Sequence, residues 1–296
     1  MDEKTLKNLI DALIEDKKSE RRFKITSRVI LLLVFLVILT LPLVSSDKIY
    51  KSGNHTAVIN IYGVISPGGD STKKTIDLIT KAVNNDFCDN IILNINSPGG
   101  SATQSKIIFD QVSKIRKNLD KTIYAIIDDV GASGGYYIAA SGDIVVANSS
   151  SIVGSIGVRL DSINIESLAK KLGIESQTIS SGEDKTILDP FKTLSERQRN
   201  HLNKLVSDIH NEFIQDIKSV RGEKIKDDSV FSGLFWTGKQ ALQLGLIDEI
   251  GSIYDINQKY LNDSELVTYN KKPSLIDEFM QSIISSFSGM QIGLFY

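Results

Sequence analysis

The chain has 296 residues, of which 41% are apolar and 24% charged, and its formal net charge at pH 7 is -2. This length and apolar content predict one large or two small folded domains, which excludes a mainly disordered chain. The mixed, nearly balanced charge lacks the basic surface that nucleic-acid binding requires. Cys88 is the single cysteine, and the sequence has no Cys/His cluster with metal-ligand spacing. We therefore expect no nucleic-acid partner, no internal disulfide, no metal site and no cofactor.

An apolar run at residues 29–44 follows a basic segment. The run is shorter than most membrane spans of roughly 17–25 residues, but Ile25 can lengthen it and Arg28 can reach the lipid headgroups. Six Lys or Arg residues lie between Lys17 and Arg28, and only two lysines follow the run closely. This charge bias predicts one membrane anchor with the N-terminus in the cytoplasm.

Two other interpretations of the apolar run stay open. Residues 44–46, Val-Ser-Ser, could form a cleavage site, although the charged region ahead is longer than that of a typical secretory signal. The run could also be a buried core helix. An anchor and a cleaved signal would both export the rest of the chain. We expect a cytoplasmic tail, an anchor, a linker, a folded domain and a C-terminal tail, at residues 1–28, 29–44, 45–56, 57–270 and 271–296.

Short β-branched runs alternate with helical patterns from Ala57 onward, which is typical of an α/β fold. A helical pattern also covers residues 75–83. Loops rich in Gly or Ser follow the β-branched runs, and such loops commonly carry the chemistry of α/β proteins. The strands are predicted at residues 57–62, 91–95, 123–128, 143–147 and 176–179.

Two longer helices are predicted from capping patterns. One begins at Ser101 with Gln104 as its capping-box partner, and the other begins at Thr193 with Glu196. The second helix is long and follows the last predicted strand. It predicts a helical lobe after an α/β core that ends near residue 190.

The segment G-A-S-G-G-Y-Y at residues 131–137 is the first candidate for chemistry. It follows a predicted strand and precedes an apolar helix, so Ser133 would lie at a strand-to-helix turn with its hydroxyl exposed. The glycines would allow close backbone approach, as in a nucleophile elbow of different sequence. The alternative is that Ser133 only caps the helix.

The segment N-S-P-G-G at residues 96–100 is the second candidate. It follows another predicted strand, and the amides of Gly99 and Gly100 could point into a cleft. Such amides can bind the oxyanion of a tetrahedral intermediate, an interaction worth roughly 10²–10³ in rate per donor. The alternative is an ordinary tight turn.

A serine nucleophile also needs a proton acceptor. His55, His201 and His210 are the only histidines, and none is well placed, because His55 follows the apolar run and the others lie in a charged helical stretch. A Ser/His/Asp triad is disfavoured but stays open. A lysine can take the proton if burial favours its neutral form, and Lys185 is the best candidate. The alternative is a solvated loop lysine.

These blocks together resemble the signal peptide peptidase A family, Ser/Lys membrane serine peptidases that share an architecture with the Clp protease subunit and the crotonases. The order and spacing of the blocks are more specific than any one of them. They are I-N-I-Y-G-V-I at 59–65, N-S-P-G-G at 96–100, A-S-G-G-Y-Y at 132–137, G-S-I-G-V at 154–158, S-G-E-D-K at 181–185, W-T-G at 236–238 and G-L-I-D at 245–248.

The resemblance implies a crotonase/Clp-protease-like spiral of ββα units with a helical lobe, preceded by one transmembrane helix. It also implies a Ser/Lys site without a metal or other cofactor. The implied site residues are the nucleophile Ser133, the general base Lys185, the oxyanion-hole residues Gly99, Gly100 and Gly134, and Ser155, which can hydrogen-bond the lysine.

The implied function is that of a membrane-anchored serine endopeptidase, a hydrolase that cleaves remnant signal peptides and other membrane-derived peptides. It would lie in the bacterial cytoplasmic membrane as a single-pass protein with its catalytic domain outside the cytoplasm. Because each active-site block occurs once, whereas enlarged family members carry two halves, we also expect a homo-oligomer. The alternatives are a crotonase-like acyl-transfer or hydrolase enzyme and a non-catalytic membrane scaffold.

Overall fold

The structure is a computed structural model, and it divides the chain into two compact units, residues 1–51 and 52–296. In the first unit, residues 24–32 are helical and exposed. None of the described helices is long and apolar enough to cross a membrane. Most of the expected anchor, and the tail at 271–296, lie outside the described residues. The residues that the structure describes are 17–18, 21–22, 24–32, 53–117 and 120–270.

The second unit is built on a mixed sheet, to which its described residues contribute eight strands. The strands are β1 (His55–Tyr62), β2 (Cys88–Ser97), β3 (Ile123–Ala132), β4 (Ile144–Ala147), β5 (Ile152–Gly154), β6 (Phe235–Thr237), β7 (Glu249–Ile250) and β8 (Leu266–Thr268).

Helices lie between and after the strands, and one 3₁₀ turn spans Asp228–Phe231. The helices are α1 (Asp70–Val83), α2 (Ala102–Arg116), α3 (Gly134–Ala139), α4 (Glu166–Lys171), α5 (Glu196–Arg221), α6 (Gly238–Leu244) and α7 (Ile253–Tyr260). The predicted α/β class is confirmed.

The strand order is β6-β5-β3-β2-β1-β8, with β4 paired to β3 and β7. The pairs are parallel except for β5 with β6. Strand β3 changes partner along its length, because Tyr124–Ile127 pair with β4 and Val130–Ala132 pair with β5. The carboxyl ends of β2, β3 and β5 therefore meet at one edge of the sheet, where loops commonly form sites.

The central strands are almost continuously apolar because both of their faces are covered. Helix α1 packs against β1 and β2 on one face, and Ile79 of this helix is buried. On the other face, α7 and the residue after it contribute Ile256 and Leu261 to a cluster. The strand residues of that cluster are Val58, Ile92, Tyr124, Ile126 and Val146.

Four of the five predicted strands are present, as β1 to β4. The strand predicted at 176–179 is wrong, because residues 174–180 have no regular structure and are exposed. Ile179 is 102% exposed relative to a reference residue. A β-branched run forms a strand only where a neighbouring strand accepts its backbone hydrogen bonds, and none of the described strands lies beside this segment.

The helix predicted from Ser101 is confirmed, since the Ser101 hydroxyl accepts a hydrogen bond from the Gln104 amide at 3.4 Å. The cap of the long helix differs from the prediction by two residues. Ser195 Oγ accepts the Gln198 amide at 3.2 Å, and Gln198 Oε1 accepts the Ser195 amide at 3.1 Å. Because this reciprocal pair satisfies two amides at the helix start, α5 begins at Glu196.

Candidate active site

Ser133 occupies a strained turn between β3 and α3. Its backbone angles are φ 52° and ψ -120°, a region that costs a non-glycine residue about 1–3 kcal/mol. Its amide donates to Gly154 O at 2.8 Å, which holds the turn against the end of β5. The side chain makes no capping hydrogen bond, so Ser133 does not cap α3 as the alternative interpretation required. Ser133 is half-buried, its backbone is strained, and its hydroxyl makes no hydrogen bond to the start of the helix.

Gly99 is in direct contact with the Ser133 turn. A Cβ at Gly99 would lie 2.7 Å from Ser133 Cβ and 2.8 Å from Gly134 N. Gly99 also has φ +102°, which L side chains rarely adopt. The N-S-P-G-G and A-S-G-G turns meet because β2 and β3 are parallel neighbours that end at one edge. Gly99 provides the space that lets them touch.

The amides around Ser133 differ in their partners. Gly99 N donates to Ser97 Oγ at 3.1 Å, and Ser97 Oγ donates to Gly63 O at 2.7 Å. In the part of the chain that the structure describes, no hydrogen bond uses the amides of Gly100 or Gly134. Two of the three glycine amides named from the sequence are therefore available to a ligand oxygen. The role of Ser97 was missed, although it lies inside the N-S-P-G-G block, because its hydroxyl partners are set by the fold.

The Gly100 backbone is held by a parallel bridge to Ile65. Ile65 N donates to Gly99 O at 2.8 Å, and Ser101 N donates to Ile65 O at 2.7 Å. A Cβ at Gly100 would lie 2.3 Å from Ile65 O, so only glycine allows this approach. The bridge fixes the orientation of the Gly100 amide relative to the Ser133 turn.

Ser155 repeats the geometry of Ser133 on the neighbouring strand. Both residues have φ 52° and directly follow the paired residues Ala132 and Gly154. Ser155 N donates to Leu234 O at 2.7 Å. The structure thus places Ser155 one register step beyond β5, next to the Ser133 turn.

Lys185 is placed differently from the other predicted site residues. It is exposed, and no hydrogen bond of the described residues joins its ammonium to Ser133. Its own loop is tied to α5, since Asp184 accepts from Arg197 at 2.8 Å and from Gln198 at 3.0 Å. These two contacts hold the pKa of Asp184 below its usual value. The structure brings together Ser133, Ser155 and the glycine backbone, whereas no hydrogen bond among the described residues links the Lys185 side chain to them.

Two of the three histidines have structural hydrogen-bond partners. His55 is fully buried and bonds Gly53 O and Tyr269 Oη, each at 2.9 Å. His210 Nε2 bonds Ile156 O at 3.0 Å, which anchors the segment after β5 to α5. Among the described residues no histidine hydrogen-bonds Ser133, and no group of three or more His, Cys, Asp or Glu side chains is arranged to hold a metal ion.

Comparison with known proteins identifies two matching families. The model of peptidase family S49 matches residues 115–266, and the Clp protease model matches residues 45–181. The first match covers just over half of the chain. The two matches overlap across the strand that leads to Ser133, so both families share the central part of this sheet.

Relatives cover different shares of the chain. A putative protease of Synechocystis is 33% identical over 205 residues, 68% of this chain and 72% of the relative. A putative signal peptide peptidase SppA of Enterococcus faecium is 28% identical over 265 residues, 83% of this chain and 74% of the relative.

A third relative has a different name. A Na(+)/H(+) antiporter NhaA of Brucella melitensis is 38% identical over 213 residues, 70% of this chain. The chain spans only 29% of the length of that protein, and the antiporter name is that protein's alone. The family match and the Synechocystis relative show that the chain belongs to peptidase family S49.

Proposed function

We propose that this chain is a membrane-anchored serine endopeptidase that uses Ser133 as nucleophile and Lys185 as general base. The carrying observation is the Ser133 turn, where a strained backbone presents a hydroxyl that caps no helix, in contact with Gly99. Membership of peptidase family S49 supports the reaction class. The proposed substrates are remnant signal peptides and other membrane-derived peptides, which agrees with the name of the Enterococcus relative.

The proposed reaction has two steps. Ser133 Oγ attacks the peptide carbonyl carbon while its proton passes to neutral Lys185, and the protonated lysine then gives that proton to the departing amine. Water activated by the same lysine hydrolyses the resulting ester and restores the serine. The amides of Gly100 and Gly134 would bind the oxyanion in both steps, whereas the Gly99 amide is already engaged with Ser97.

The exposure of Lys185 indicates that one chain does not complete this site. A lysine acts as a base when desolvation favours its neutral form, and nothing in the described part of one chain covers this ammonium. The segment that precedes Lys185, residues 163–179, exposes a group of large apolar side chains, which is typical of a surface that another molecule covers. These are Ile163, Leu168, Leu172, Ile174 and Ile179.

We therefore propose a closed, ring-like homo-oligomer in which Lys185 of one protomer serves Ser133 of its neighbour. Co-expression of Ser133→Ala with Lys185→Ala tests this arrangement. With equal random mixing, about a quarter of shared sites would contain both wild-type groups, by counting over a cyclic interface. Activity at the single-mutant background, in verified mixed oligomers, would contradict the shared site.

A fluorophosphonate probe tests the nucleophile directly. The purified chain should be labelled covalently, and Ser133→Ala should abolish the labelling. Ser71→Ala, which changes an exposed serine of α1 outside the site, is the control and should retain a labelled Ser133. Cleavage of signal-sequence peptides separates a peptidase from a membrane scaffold. Turnover of acyl-thioesters without peptide cleavage would favour the crotonase-like alternative.

A further inference from the structure

One half of a sheet face is left open by this chain. Alternate residues of a strand lie on the same face of its sheet. Every second residue after the apolar Val58, Ile92 and Tyr124 therefore lies on the same face as these three, nearer the carboxyl ends of β1, β2 and β3. Helix α7 covers the apolar half. The continuing rows are polar and consist of Asn60, Tyr62, Asn94, Asn96 and Asp128.

A cavity of about 670 Å³ lies over this polar half. The volume is within the range of ligand-binding sites, roughly 300–1,000 Å³. None of the proposed catalytic or oxyanion residues lines it, so it is distinct from the Ser133 turn. We call it the Tyr62 pocket. Its walls include Tyr62, Asn94, Asp128, Asp129, Ile152 and Tyr254.

Amide side chains in and beside the Tyr62 pocket donate within the chain. Asn94 Nδ2 donates to Asn60 Oδ1 at 3.1 Å and to Tyr62 Oη at 2.6 Å. Asn96 Nδ2 donates to Asp129 Oδ2 at 2.9 Å. An amide nitrogen has two N–H groups and a carboxylate only accepts. Asn94 therefore has no N–H group left for a ligand, whereas Asp128 and Asp129 offer it carboxylate acceptors.

The pocket is also negatively charged. Asp128 and Asp129 are exposed, and none of the described residues that line the cavity is Lys or Arg. Within residues 53–117 and 120–270, neither carboxylate forms a salt bridge. Burial, and then the charges of Asp128 and Asp129, raise the pKa of Tyr62, so its hydroxyl stays neutral. Two carboxylates without a salt bridge and two aromatic rings together fit a cation with an aliphatic stem.

We propose that the Tyr62 pocket binds a lysine or arginine side chain of the peptide substrate. The exposed rings of Tyr62 and Tyr254 can contact the stem and take the cation over their faces, while Asp128 accepts charge-assisted hydrogen bonds. This inference rests on the proposed peptidase function. It specifies a substrate in which a basic residue flanks the apolar stretch, an arrangement that secretory signal sequences have.

The position of the basic residue follows from strand β3. Asp129 and Ser133 are four residues apart in this strand and its turn, so at most about 13 Å separates them along an extended chain. An extended peptide covers that length in about four residues. The basic side chain would therefore lie within about four positions of the cleaved bond.

Paired quenched-fluorescence peptides test the pocket in the purified full chain. Each pair shares one apolar sequence and carries either lysine or uncharged norleucine, scanned from two to six positions from the cleaved bond. Wild type should cleave the best lysine peptide about fivefold faster in kcat/KM than its partner, as expected for one exposed ion pair with one cation–π contact. Asp128→Asn should reduce this ratio to about two, because the cation–π contact remains.

Asp128→Asn is the informative variant because no hydrogen bond of the described residues uses that carboxylate. Asp77→Asn is its matched control, since Asp77 is an exposed aspartate of α1 outside the pocket; it should keep the wild-type ratio. Equal ratios in wild type and Asp128→Asn would overturn the pocket assignment. So would a change of oligomer mass in Asp128→Asn without a change of ratio, which would make the pocket a contact between copies.

A binding measurement separates the pocket from catalysis. Calorimetry with Ser133→Ala should show about fivefold tighter binding of the lysine peptide than of the norleucine peptide, and the added Asp128→Asn change should reduce this difference to about twofold. If wild type cleaves neither peptide but this difference persists, the proposed peptidase function fails and the pocket stands. If wild type cleaves both and the difference is absent, the pocket fails and the peptidase stands.

Discussion

Adding one methyl group at Gly99 should disrupt the Ser133 turn. In Gly99→Ala the new Cβ would lie 2.7 Å from Ser133 Cβ, whereas ordinary contacts begin at 3.4 Å, so one group must move by about 0.7 Å (3.4 - 2.7). Misplacing a reacting group by about 1 Å can cost roughly 10² in rate. We therefore expect kcat/KM for peptide cleavage to fall about 100-fold, and fluorophosphonate labelling to slow similarly.

Gly68→Ala is the control for the backbone cost. Gly68 and Gly99 both have φ +102°, but a Cβ at Gly68 would have nothing within 4 Å. Both variants should lose about 1–2 kcal/mol of unfolding free energy from the positive φ, and Gly99→Ala should lose about 1–3 kcal/mol more from overpacking. Denaturant unfolding measures both losses. Labelling of folded Gly99→Ala within twofold of Gly68→Ala would refute the contact argument.

Three further predictions concern catalysis, stability and topology. Ser133→Ala and Lys185→Ala should each abolish peptide cleavage yet keep a cooperative unfolding transition, because both lie outside the apolar core; near-normal turnover in either would remove its catalytic assignment. Arg221→Met should lower the unfolding free energy at pH 7 by about 3 kcal/mol, because the buried guanidinium pairs with Asp248 at 3.0 Å. Burial opposes ionisation of Asp248, but Arg221 holds the pKa of Asp248 below the usual value. The stabilisation by this ion pair is therefore present above about pH 4 and is lost as the pH falls through the lowered pKa. If the unfolding free energy of Arg221→Met falls with acid pH as steeply as that of wild type, this sign is wrong. In spheroplasts, external protease should digest the folded domain and spare a tag at Met1, and the reverse pattern would overturn the proposed orientation.

The sequence predicts the central strands well because their apolar, β-branched runs are buried on both faces. Residues 57–62 and 91–95 have this composition, and each forms a strand with a neighbour in register. Residues 176–179 have a similar local composition, but none of the described strands lies beside them, so the same pattern predicted a strand that does not form. The short strand Leu266–Thr268 was missed because three residues carry no measurable periodicity and its pairing with β1 is set by the fold.

The candidate site shows the same division between local and non-local information. The turn position of Ser133 follows from a strand signal, a glycine pair and a helix signal that are adjacent in the sequence. Which glycine amides are available does not, because that depends on Ser97, Ile65 and their contacts across two strands. The Tyr62 pocket was also not predicted, since its walls come from five separate segments of the chain.

The strained backbone of Ser133 has an evolutionary consequence. Glycine would adopt its φ of 52° without the cost of about 1–3 kcal/mol, so Ser133→Gly should raise the free energy of unfolding while removing the hydroxyl. Selection for a stable fold and selection for turnover therefore oppose each other at this codon. A lineage released from the need for turnover would gain stability from glycine here, so we expect inactive descendants of such a chain to lose this serine.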